Sequence, residues 1–103
     1  MISKKLVKDG FKKGIIKIIE SPYKDGIACK IGEYWFYFCG TFSYKKDTND
    51  YYESAEEYLK ETRKTEIIDD IWTTLRTMHK EGKDDEAAET EYRYYEAFLK
   101  ENV

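Results

Sequence analysis

Proline occurs once in this chain, at Pro22, and glycine only six times in 103 residues. No Pro-rich or Gly-rich linker is present, so the sequence reads as a single domain spanning 1–103. Cysteine is limited to Cys29 and Cys39, too few for a disulfide-stapled scaffold. Histidine occurs once, at His79, which removes the histidine clusters of metal centres and most acid–base dyads. No apolar run approaches the ~20 residues that span a bilayer. The early lysines Lys4, Lys5 and Lys8 are not followed by the apolar h-region of a secretory signal. A cytoplasmic protein with no membrane partner is expected.

The motifs of nucleotide and zinc chemistry are also missing: there is no G-x-x-x-x-G-K-[ST], no G-x-G-x-x-G and no H-E-x-x-H. Carboxylates do cluster, at Asp69-Asp70 and Asp84-Asp85-Glu86. Adjacent helix positions do not face one another, so Asp69 and Asp70 are expected on a solvated surface rather than in a shared site. His79 is expected to pack or to cap. A domain this small buries roughly 60–70% of its extended-chain surface, which leaves little room for an enclosed cofactor. The expectation is a protein that is not an enzyme, with no catalytic residues, no metal site and no cofactor. An enzyme built on scattered surface carboxylates is the least favoured alternative.

What the chain has in quantity is aromatic and charged residues. Aromatics make up 17%, including ten Tyr, and charged residues 38%. Disordered chains are poor in aromatics, so this one has the means to form a core. The net charge is only -3 but is unevenly spread. Residues 1–46 carry ten Lys against four acids, giving +6; residues 47–103 carry eight Lys and Arg against seventeen acids, giving -9. Such an asymmetry makes either two solvated faces of opposite sign or one half that meets a charged partner.

Along the chain, "ISKKLVKDGFKKG" sets Ile2, Leu6 or Val7, and Phe11 against a lysine face. A short helix is expected there, capped by Ser3 and stopped by Gly10 and Gly14, with an edge strand as the alternative. "GIIKIIE" (14–20) is β-branched and reads as a strand. "SPYKDG" (21–26) has turn chemistry. "IACKI" and "YWFYFC" flank Gly32-Glu33, the Gly-X signal for a two-residue type II′ hairpin. After a loop at 40–50, Ser54 and Glu57 form a capping box that opens a short helix to about Arg63. A second helix, capped by Thr65, aligns Ile68, Ile71, Trp72, Leu75, Met78 and His79, with Gly82 at its C′ position. A third begins at Asp84 or Asp85 and aligns Ala88, Tyr92, Tyr95 and Leu99, with Phe98 beside them. The expected fold class is α+β: a short N-terminal helix, a three-stranded antiparallel β-meander, then three α-helices packed on one sheet face.

The hairpin sorts its side chains by parity. One face carries Ile27, Cys29, Ile31, Tyr34, Phe36 and Phe38 and is expected to be core. The other carries Ala28, Lys30, Trp35, Tyr37 and Cys39. The two cysteines fall on opposite faces, so no disulfide joins them; Cys29 reads as a small buried hydrophobe. Lys30, Trp35 and Tyr37, close to Lys17 and to Ile15 or Ile19, are the candidate binding residues, because aromatic and basic side chains suit protein interfaces and aromatics on a sheet also stack bases. The alternative is that the N-terminal helix, through Leu6 and Phe11, covers this face.

The expected partner is another protein, with a second copy of the chain as the alternative. Nucleic acid is disfavoured. "KKLVKDGFKK" offers five lysines as phosphate contacts, but Arg63, Arg76 and Arg93 all lie in the acidic half, and arginine is the usual base reader. The opposite idea, mimicry of a phosphate backbone by the acidic stretch "DDEAAETEYRYYE", stands beside it as a second nucleic-acid-related role.

"EYWFYFCG", followed by "ESAEEYLKE" and "EIIDDIWTTL", resembles a loose group of small uncharacterised proteins encoded by mobile elements and phages of low-GC Gram-positive bacteria. The resemblance spans roughly residues 10–80 and brings no site or cofactor with it. It implies an accessory protein that acts by binding a host defence or regulatory component.

Overall fold

The computed structural model describes residues 1–20, 27–38 and 64–103. Its elements are α1 (Lys4–Lys12), β1 (Ile16–Glu20), β2 (Ile27–Ile31), β3 (Tyr34–Tyr37), α2 (Lys64–Glu81) and α3 (Glu86–Asn102). The class is α+β, with an antiparallel sheet in the order β1-β2-β3. The turn at 21–26, the loop at 40–50, Cys39, and the short helix opened by Ser54 and Glu57 all lie outside the described residues.

The first element is a helix and not an edge strand. The Ser3 hydroxyl accepts the Leu6 backbone N–H at 3.1 Å, satisfying one of the orphan donors at the helix start. Gly10 does not stop the helix, contrary to the expectation; it is buried within α1. A Cβ at that position would sit 3.2 Å from Ile16 and from Leu99, so its smallness lets α1 press against both the sheet and α3. The helix ends before Gly14, whose φ of +76° few other residues adopt at low cost.

The β2–β3 reversal follows the Gly-X rule. Gly32 has φ +65°, and Glu33 has no positive φ, which excludes a type I′ turn and fits type II′. The register runs Ile31↔Tyr34, Lys30↔Trp35, Cys29↔Phe36 and Ala28↔Tyr37. Strand β1 continues it with Ile16↔Ile31, Ile18↔Cys29 and Lys17↔Lys30. Ile16, Ile27, Cys29, Ile31, Phe36 and Phe38 are all buried in the core. Tyr34 is a correction: it shares their parity yet is 52% exposed. It sits beside the turn, where its ring meets the edge of Tyr94 at 4.5 Å instead of entering the core.

On α2 the buried line is Ile67, Ile71 and Leu75, with Ile68, Trp72 and Met78 packed at its margin. The expected stripe was thus rotated by about one position. Trp72 accounts for the rotation: its indole N–H donates to the Ile2 carbonyl at 3.1 Å, and its faces meet the cations of Lys4 and Arg76 at 4.8 and 4.5 Å. A tryptophan held this way needs the rim of the core, which turns Ile67 inward.

Helix α3 buries Tyr92, Tyr95 and Leu99. Asp85 caps it, accepting the backbone N–H groups of Ala87 and Ala88 at 3.0 and 3.3 Å. Both buried tyrosines keep their hydroxyls bonded, as burial of a phenol requires. Tyr92 Oη accepts the Ile2 N–H and donates to Glu96, and Tyr95 Oη donates to Glu91. Gly82 follows α2 as expected, but without a positive φ. Its role is close approach: a Cβ there would lie 3.0 Å from the Cα of Glu89.

Helix α1 lies on the same side of the sheet as α3. Val7 and Ile2 belong to the core, Leu6 and Phe11 pack against it, and Gly10 abuts Ile16, the neighbour of Ile31. Leu6 and Phe11 therefore serve the inner face and do not cover the outer one. Each fully buried Ile, Leu or Phe of this core contributes on the order of 1.5–3 kcal/mol relative to exposure.

Candidate functional site

The outer sheet face is built by strand register. Lys17 lies opposite Lys30, and Lys30 lies opposite Trp35, so these three form one row across all three strands. The next row is Ile19, Ala28 and Tyr37. Lys30, Trp35 and Tyr37, the residues singled out from the sequence, are therefore brought together. The Trp35 and Tyr37 rings meet edge to face at 5.3 Å and 89°. The face is not uniformly open: Lys17 and Lys30 are exposed, Tyr37 is 38% exposed, Trp35 and Ile19 are half-buried, and Ala28 is fully buried.

At the turn end of this face lies a hollow of about 240 Å³, lined by Gly14, Ile15, Lys17, Lys30, Gly32 and Phe98. Among the described residues neither Lys17 nor Lys30 forms an ion pair. Other lysines do: Lys4 meets Asp69 and Lys5 meets Asp9, both at 2.9 Å. Two of the five lysines of the N-terminal helix segment are thus neutralised from within the chain.

A second, larger groove of about 810 Å³ opens between the hairpin turn and the start of α3. Tyr34 and Tyr94 line it together with the carboxylates Asp84, Asp85, Glu86 and Glu91. Two of these carboxylates have structural work: Asp85 caps α3 and Glu91 accepts from Tyr95 at 2.6 Å. Tyr94 Oη also accepts the Glu33 backbone N–H at 3.0 Å, tying the turn to α3.

Cys29, His79 and Asp70 are further ionisable groups with partly or fully buried surroundings. Burial pushes the Cys29 thiol up, out of the range where a thiolate forms near neutrality. His79 stacks on the Tyr92 ring at 4.4 Å, with its Nδ1 3.9 Å from Glu89. Partial burial, then the negative charges of Asp69 and Glu66, hold the Asp70 carboxyl above its ordinary value. Asp69 itself points at Lys4. Among the described residues no group of three or more His, Cys, Asp or Glu side chains is placed to hold a metal ion, and no helix is long and apolar enough to cross a membrane.

Fold and surface together define a small α+β domain with a helix-covered inner sheet face and an aromatic–cationic outer one. Comparison with family models, curated proteins and solved structures returns no match.

Proposed function

We propose that this chain is a small non-enzymatic domain that acts by binding another protein through the outer sheet face. Lys30, Trp35 and Tyr37 are the contact residues, joined by Lys17. The observation that carries this reading is the row Lys17–Lys30–Trp35, which runs across three strands on the side away from α1 and α3. Tryptophan and tyrosine provide large rigid contact area at low entropic cost, and a flanking cation supplies orientation. The resemblance to accessory proteins of mobile elements and phages fits a role of this kind. Protein is favoured over nucleic acid because the chain carries a net charge of -3 and because part of the N-terminal lysine cluster is spent on Asp9 and Asp69. The acidic groove at the start of α3 is a second surface for the same kind of contact.

The test is the double change Trp35→Ala with Tyr37→Ala. Expected is a loss of unfolding free energy below ~1 kcal/mol, the range of ordinary surface changes, with loss of binding to a purified partner that the unaltered protein holds. A collapse of stability assigns the pair to folding and ends the proposal.

A further inference from the structure

The directly opposed pair Lys17 and Lys30 is an anomaly of the sheet. Cβ atoms of such a pair lie about 4.5–5.5 Å apart, and like charges there are destabilising. Carboxylates are not in short supply, since the chain has twenty-one acids and places some of them on Lys4, Lys5 and Lys100. Among the described residues none is placed on Lys17 or Lys30. Lys17 and Lys30 border the same hollow, whose remaining lining is Ile15, Phe98 and two glycines without side chains.

We propose that Lys17 and Lys30 together clamp a carboxylate from an acidic segment of the partner protein. This rests on the reading of the outer face as a protein contact and adds the chemistry of what is bound. A carboxylate seated between the two ammonium groups turns a repulsive pair into two attractive ones. The hollow, at about 240 Å³, suits one side-chain head group; pockets that enclose a drug-sized ligand are roughly 300–1,000 Å³. Trp35 is the next residue in the row after Lys30, so the neighbouring residue of the bound segment lies against an indole. The clamp contains no arginine, whose planar fork is the better match to phosphate. The chain's net negative charge also opposes a polyanion more than a short acidic segment.

The experiment is a titration of the ¹⁵N-labelled protein with a synthetic hexaglutamate peptide at low and at physiological salt. Expected are saturable shifts centred on Lys17 and Lys30 and an affinity that falls with salt. The Lys17→Gln, Lys30→Gln double variant should bind at least about tenfold more weakly, as for loss of a close charge pair. That variant keeps an exposed polar side chain only one atom shorter than lysine at each position and removes a repulsion, so its circular dichroism and melting should match or exceed the parent. Absence of saturable binding, or binding that the variant retains, overturns the clamp. Tighter binding of inorganic phosphate or of a short oligothymidylate overturns the carboxylate assignment. Concentration-dependent self-association that the variant abolishes overturns the separate partner in favour of a second copy. A clamp that fails while the Trp35 and Tyr37 change still abolishes partner binding leaves the broader reading standing; the reverse outcome separates the two the other way.

Discussion

The phenol of Tyr92 takes the backbone N–H of Ile2 at 2.6 Å, across 90 positions of sequence. The bond is buried, and its donor belongs to a residue with 1% exposure. Tyr92→Phe keeps the ring but leaves that amide without its acceptor. A buried unsatisfied donor costs about 1–3 kcal/mol. Urea denaturation should show a loss in that range, with an unchanged m-value. A loss under a few tenths would mean that the amide finds water and that the bond is dispensable.

The two left-handed glycines offer a paired experiment. Gly14 has φ +76° and open space where a Cβ would go, so Gly14→Ala should incur only the backbone term, roughly 1–2 kcal/mol. Gly32 has φ +65° and, in addition, the Tyr94 hydroxyl in the place a Cβ would occupy and Phe98 at 3.0 Å. Gly32→Ala should therefore cost more than Gly14→Ala, and it should displace Tyr94 from the Glu33 N–H. Equal losses in thermal unfolding would refute the steric part of the argument.

Burial raises the folded-state values of Cys29, Tyr92 and Tyr95, because desolvation disfavours their anions. These groups stay neutral in the folded chain while the unfolded chain ionises, so stability falls as pH rises. The Cys29 contribution is intact below about pH 8.5, where an unfolded thiol begins to ionise, and is lost at about 1.4 kcal/mol per pH unit above it. The tyrosines add to the decline from about pH 10. Chemical denaturation between pH 7 and 11 should show this two-stage loss. Cys29→Ala should remove the first stage while lowering stability at neutral pH. A flat profile from pH 8.5 to 10 would contradict the burial of the thiol.

Relief of the lysine pair should be visible in stability alone. Lys17→Glu places opposite charges across β1 and β2. The expected gain is about 0.2–1 kcal/mol, shrinking with added salt. Destabilisation would mean that Lys17 makes a favourable contact its exposure does not suggest.

Much of the fold was legible because a strand has a period of two and no freedom to drift. With Gly32-Glu33 as the turn, the pairs from Ile31↔Tyr34 to Ala28↔Tyr37 follow, and with them the common face of Lys30, Trp35 and Tyr37. Helices allow more latitude. A period of 3.6 admits neighbouring stripes of similar quality, and only the fixing of Trp72 by Ile2, Lys4 and Arg76 chose Ile67 over Ile68. Propensity treats glycine as a helix stop, whereas at Gly10 the space it leaves is filled by Ile16 and Leu99. Parity says which side Tyr34 points to, not whether anything covers it, and the residue stays exposed. The opposition of Lys17 and Lys30 needed the β1–β2 register, which depends on a connection longer than a two-residue turn.

The hydroxyl of Tyr94 holds the hairpin tip through the amide of Glu33, and the hollow beside Lys17 and Lys30 reaches the same tip at Gly32. A guest that tugs on the tip must either drag the tyrosine with it or snap that tether. Occupancy of one surface would then leave a fingerprint at the last helix, where the acidic groove opens.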